Sequence, residues 1–189
     1  MFDAMVGKGR HPILGVRSPD PILSTVAPIG LAAAAGTALV VDLVSTASDD
    51  GRTLADLVTD GPSISELSPG RTGVALLAGG RVDLEDAAEL IARLGRHWPA
   101  LVIRLPQSAT ELPFPSVPVV PLFPGRLSPV RLPPSGVWQP VGTGADPPGP
   151  GPVLPRLSAG LVNRILSGRL PRRSRWIESW RRVWELPWA

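Results

Sequence analysis

The chain has 189 residues, 43% of them hydrophobic and 19% charged, enough apolar material for a packed core and too much for wholesale disorder. It has no cysteine and only two histidines, His11 and His97, which excludes disulfides and thiolate metal sites and argues against a histidine-rich zinc site. The formal charge is +3, yet residues 169–189 hold six arginines against two glutamates, +4, so residues 1–168 sum to −1. A body this close to neutral disfavours direct nucleic-acid binding, which needs a basic surface.

Residues 1–10 read as a leader. His11 to Val16 is a short apolar run and a candidate first strand. Asp20 can cap a helix with Pro21 in its first turn. That helix should reach Ala35, with Pro28 as a candidate break and Gly36 as its stop. Thr37 to Val44 is apolar and β-branched, the pattern of a strand buried on both faces of a parallel sheet. A short helix is expected over Thr53–Val58 and a second buried strand over Gly73–Ala78. Leu84 to His97 has a helical apolar stripe, with acids early and arginines late. Leu101–Leu105 reads as a strand. Val117–Leu122 reads as an edge strand because of its prolines. From Pro113 to Pro155 there are 14 prolines in 43 residues, and Gly142 to Pro152 has linker composition. Val137-Trp138 can add one more strand before that segment. Two helical candidates follow, Leu157–Leu170 and Ser174–Leu186.

Pro21 to Val41 carries no charge over 21 residues, long enough to cross a bilayer. Its prolines, glycines, hydroxyls and alanines make it weak for insertion, and a signal peptide fits poorly because Asp20 and Asp42 flank it. A buried helix followed by a buried strand accounts for it better. The expected fold is α/β: a mostly parallel sheet with flanking helices over 11–124, a Pro/Gly-rich linker over 125–155, and amphipathic helices in a basic, tryptophan-rich tail over 156–189.

The phrases LAAAAGTALVVDL (31–43), GRTLADLV (51–58), SISELSPGRTGVALLAGG (63–80) and WPALVIRLP (98–106) give residues 11–124 an order that resembles the ParA/MinD family of deviant P-loop ATPases, including its CpaE-like members. The resemblance implies a nucleotide site between the first strand and first helix, with an acid at the end of the strand 101–105. The nucleotide motifs are missing. The loop position holds Arg17, Ser18, Pro19, Asp20 and Pro21, followed by Ser24 and Thr25. A phosphate cradle needs consecutive backbone N–H donors, glycines and a lysine. Pro19 and Pro21 have no N–H, Asp20 repels phosphate, and no lysine is present. Ser24 and Thr25 fall near where a Mg²⁺-binding hydroxyl would lie. Arg104 stands where the family would place the acid. Gly7-Lys8-Gly9 precedes the strand and is no substitute. The expectation is a degenerate member with no cofactor and no hydrolysis.

No nucleophile elbow occurs. Asp49-Asp50 and the Glu85, Asp86, Glu89 group read as a loop and a helix N-terminus rather than a metal site. Asp42, at a strand end where open α/β sheets bind ligands, reads as bonding loop N–H groups or contacting a ligand.

Trp176, Ile177, Trp180, Val183 and Trp184 form one stripe of a tail helix, with Arg173, Arg175, Arg181 and Arg182 mostly off it. Such a face must be covered by its own body, by another protein or by an anionic membrane surface, and the last two make these residues candidate binding residues. Leu157, Leu161, Val162, Ile165 and Leu166 form a second stripe. The expected function is a non-catalytic adaptor or regulator, cytoplasmic or peripheral at the inner face of a membrane, accessory to pilus assembly, polar positioning or division. The alternatives are a ligand-binding protein or enzyme using the crevice near Asp42, or a RecA-like degenerate repair factor acting through protein contacts.

Overall fold

The computed structural model describes residues 13–46, 51–124, 132–142, 146–171 and 173–188. The expected leader, Lys8, His11 and Asp49-Asp50 lie outside them. Six strands form one parallel sheet: β1 (Ile13–Arg17), β2 (Ala38–Asp42), β3 (Val74–Ala78), β4 (Leu101–Arg104), β5 (Ser116–Leu122) and β6 (Val137–Pro140), in the order β3-β2-β4-β1-β5-β6. Alternate strand residues bury opposite faces. Leu14, Val16, Val40 and Val102 meet helix α1 (Pro21–Ala35), while Leu39, Val41, Leu101 and Ile103 join a second core. That core is completed by α2 (Leu54–Asp60), α3 (Ile64–Leu67) and α4 (Leu84–His97).

Helix α1 begins with the Asp20 carboxylate accepting the Leu23 N–H at 2.8 Å and ends at Gly36, whose φ of 88° is open to glycine at little cost. Pro28 sits inside it without breaking it. Apolar residues occupy every side of this helix, as expected of one buried all round. One side lies on the sheet and the other lies under the tail. At the ends of α2 and α3, carboxyls close capping boxes. The Thr53 N–H and hydroxyl hold Asp56 below the ordinary carboxylate range, and the Ser63 hydroxyl and N–H do the same for Glu66.

The sheet departs from expectation at its proline-rich side. β5 is an interior strand, flanked by β1 and β6, not an edge. It tolerates Pro118 and Pro121 because its two neighbours cover different halves: β1 pairs with residues 116–118 and β6 with 119–122. The alternation of backbone groups turns Pro118 toward β6, short of where that pairing starts. It turns Pro121 toward β1, past where that pairing ends. The domain therefore does not stop at 124. Nor is the stretch up to Pro155 a free tether. Trp138 bonds to Pro152 and Leu154 through its backbone and to the Gly149 carbonyl through its indole, and Leu154 is buried. These bonds cover the outer edge of β6.

The tail contains α5 (Ala159–Leu166), α6 (Arg175–Ser179) and α7 (Arg181–Glu185). The expected single helix over 174–186 is two short ones. The Ser179 hydroxyl donates to the Trp176 carbonyl at 2.7 Å, so the Trp180 N–H bonds to the Ile177 carbonyl and the chain tightens there. The aromatic stripe is not a free binding face. Trp176, Trp180, Val183 and Trp184 are all at most 5% exposed, packed on α1. The Trp184 indole donates to the Leu31 carbonyl at 3.0 Å, and the Trp176 indole to Oε1 of buried Gln139 at 2.7 Å. Trp176 and Trp180 meet edge to face, with ring centroids 5.4 Å apart. α5 also lies on α1 through Ile165, while Leu166, expected on its apolar stripe, is exposed.

Gly30 is the surface on which these rings rest: a Cβ there would stand 2.4 Å from the Trp176 ring and 2.9 Å from the Trp180 indole nitrogen. Gly30→Ala should therefore destabilise the fold by about 1–3 kcal/mol, although alanine is the better helix former. The indoles of Trp176 and Trp180 should also separate in urea unfolding. Trp176→Phe strands the Gln139 amide oxygen in the core and should cost about 2–4 kcal/mol. The Trp180 indole N–H is buried with no acceptor among the described residues, so Trp180→Phe should cost about half as much. Equal costs, or the reverse order, would contradict this account of the tail.

Candidate functional site

β1 and β4 are neighbours, yet the chain leaves them in opposite directions, toward β2 from one and toward β5 from the other. In an open parallel sheet such a reversal leaves a crevice at the carboxyl ends of the strands, where ligands bind. The residues singled out from the sequence meet here. Arg17 ends β1, Asp42 ends β2, Arg104 ends β4, and Ser24 is in the first turns of α1.

The connection from β1 to α1 is only Ser18, Pro19 and Asp20. It does not form a phosphate cradle. The Asp20 N–H points to the Ser18 hydroxyl at 3.3 Å, and the Leu23 N–H is capped by the Asp20 carboxylate. The helix end that could attract an anion is thus supplied with one from its own chain. Ser18 is buried, its carbonyl taking the Gln107 side-chain N–H at 3.1 Å, and Arg17 reaches the Ala109 carbonyl at 3.4 Å. The Thr25 hydroxyl turns back to the Pro21 carbonyl at 3.0 Å, leaving Ser24 as the hydroxyl that faces the strand ends.

Arg104 fills the space between Ser24 and Asp42. Its Nη1 donates to Asp42 Oδ2 at 2.8 Å, and its Nε donates to Ser24 Oγ at 3.2 Å. The other Asp42 oxygen accepts the N–H groups of Val44 and Ser45, at 3.0 and 3.1 Å. Asp42 therefore bonds loop N–H groups, the structural option of the two left open by the sequence, and also carries a guanidinium. The pair is partly buried, with side-chain exposures of 16% and 23%. The sequence showed Arg104 as a missing acid. It did not show that its guanidinium reaches both Asp42 and Ser24, because nothing in the spacing of 24, 42 and 104 reports that three strand and helix ends converge.

An open groove of about 530 Å³ lies beside this crevice, lined by Arg17, Ser18, Gln107 and the prolines 118, 133 and 134. Asp42 does not line it. Among the described residues no cluster of three acidic or histidine side chains is placed to hold a metal, and no helix is long and apolar enough to cross a membrane. The stretch 21–41, long enough to span, is α1 and most of β2. In the tail, Arg173, Arg175, Arg181 and Arg182 are exposed, in contrast to the tryptophans between them.

No protein-family model matches the chain, and no curated protein or solved structure matches it.

The Asp42–Arg104 contact should be structural and asymmetric. Asp42→Ala removes the acceptor for Arg104 and for two loop N–H groups, and should cost about 1–3 kcal/mol in chemical denaturation. Arg104→Met keeps the aliphatic stem and leaves Asp42 with its loop donors, so it should cost less. A larger loss in Arg104→Met would show that the guanidinium, rather than the loop, is what Asp42 serves.

Proposed function

We propose that the protein is a non-catalytic adaptor or regulator, an α/β body of ParA/MinD-like order that works through protein contacts and not through nucleotide hydrolysis. The observation that carries this reading is Arg104. Its guanidinium stands at the strand end where the resemblance implies an acid, and it bonds both Asp42 and Ser24, the hydroxyl near which a magnesium ion would lie. A fixed positive charge there competes with a metal for the same two oxygens. The three-residue loop with two prolines supports the reading independently, since it has few N–H groups to offer a phosphate chain. Accessory work in pilus assembly, polar positioning or division is the setting that the resemblance suggests.

Titration calorimetry with millimolar Mg-ATP and Mg-GTP tests the first half of the proposal. No saturable heat is expected, and clear saturable binding would overturn it. The second half needs variants that keep the fold, because removing residues 174–188 would uncover α1. The charge reversal Arg181→Glu/Arg182→Glu alters only exposed side chains and should leave thermal unfolding unchanged. It should also abolish recovery of a protein partner that the unaltered chain retains on affinity capture. If neither form retains a partner, the adaptor reading fails.

A further inference from the structure

Residues 156–189 hold eight arginines and two glutamates, a net +6 against the +3 of the whole chain, so the rest of the sequence sums to −3. The fold gathers part of this charge into a concave site. An opening of about 540 Å³ lies between the start of α5 and the start of α6, and Arg156, Arg164, Arg173 and Arg175 line it. No aspartate, glutamate or histidine does. All four arginines are exposed, and none of their guanidinium groups makes a hydrogen bond or ion pair with another described residue. By contrast, Arg52 and Arg104 on the body are paired with carboxylates.

Four like charges around one opening repel one another, and no carboxylate among the described residues lines it to offset them. Two hydroxyls line the same opening, Ser158 and Ser174. Each accepts a backbone N–H as a helix cap, from Leu161 at 3.2 Å and from Ile177 at 3.5 Å, which leaves its O–H free to donate outward. Gly160 leaves the first turn of α5 open, with no atom within 4 Å of where its Cβ would stand. The ring of Trp176, which lines the opening, is held by its bond to Gln139.

From this arrangement we infer that the opening is a binding site for a compact phosphate monoester. Guanidinium forks pair with phosphate oxygens two at a time. A monoester offers three terminal oxygens and close to two negative charges, enough to satisfy several arginines from one point. A phosphodiester backbone carries one charge per unit along a line and suits a basic track better than a recessed cluster. A bare membrane surface suits it less well too, because the tail's tryptophans, which would anchor in a bilayer, are turned inward. The site does not depend on the reading of the nucleotide crevice, which lies at the strand ends and is lined by other residues.

The test uses the full chain and inorganic phosphate, followed through the arginine side-chain N–H signals in NMR. Saturable shifts are expected at Arg156, Arg164, Arg173 and Arg175, with Arg181 and Arg182 unmoved. Arg164→Gln/Arg173→Gln, which alters only exposed side chains, should weaken binding by about tenfold or more with unchanged thermal unfolding. A phosphoserine peptide and phosphatidic acid vesicles then tell the source of the monoester. Competition with phosphate by the phosphoserine peptide is expected, because the buried tryptophans leave the tail no bilayer anchor, and competition by the vesicles alone would overturn a protein source. Shifts that never saturate and spread over every exposed arginine would overturn the inference. So would an oligonucleotide or phosphatidylglycerol vesicles that bind while phosphate leaves the four arginines unperturbed.

Discussion

A helix that is apolar on every side cannot lie on a sheet and stop there. α1 covers one face of the parallel sheet, and its far side is just as apolar. The tail meets this constraint. Trp176, Trp180 and Trp184 are laid across α1, and the glycine at position 30 lets the rings approach the helix backbone. Burying aromatic side chains of this size contributes about 1.5–3 kcal/mol each before ordering costs, large against the net stability of a small domain. What composition alone suggests is a tethered binding helix is therefore a fourth layer of the fold, outside α1.

The same geometry explains how the tail can be both a seal and a charged surface. Helical and near-helical spacing puts tryptophan and valine toward α1, while the arginines between them face outward. At the opposite functional pole, the strand-end crevice is closed by internal pairing. Asp20 caps its own helix, and Arg104 joins Asp42 to Ser24. One site has satisfied its charges from within the chain, and the other has left four of them unsatisfied. The contrast, not either site alone, separates the part of the molecule that maintains the fold from the part that faces a ligand.

Much of the body was legible in the sequence. The apolar β-branched runs at 37–44 and 101–105, the Asp20 and Gly36 boundaries and the helix 84–97 all follow from local pattern and lie within a residue or two of their observed limits. The misreadings concern contacts between distant segments. β5 looked like an edge because prolines block pairing, but pairing on each side is needed over only half its length. The stretch before Pro155 looked like a linker because proline and glycine disfavour regular structure, yet its carbonyls still accept bonds from β6. The charge-free stretch 21–41 showed that α1 must be buried, without showing by what. At the candidate site the residue types pointed to lost chemistry, but only the folded chain shows a guanidinium drawn between Asp42 and Ser24. Arg156 and Arg164, far from the tryptophan stripe in sequence, carried no signal of convergence with Arg173 and Arg175.

The bond from the Trp184 indole to the Leu31 carbonyl joins residues 153 positions apart. Synthesis proceeds from the amino end at about 5–20 residues per second, so α1 leaves the ribosome many seconds before the segment that covers it. Through that interval the sheet can begin to assemble on one side of α1 while the other side stays bare to solvent. The nascent chain then carries an oily helix that nothing of its own can yet shield, a face open to association until the segment around Trp184 arrives.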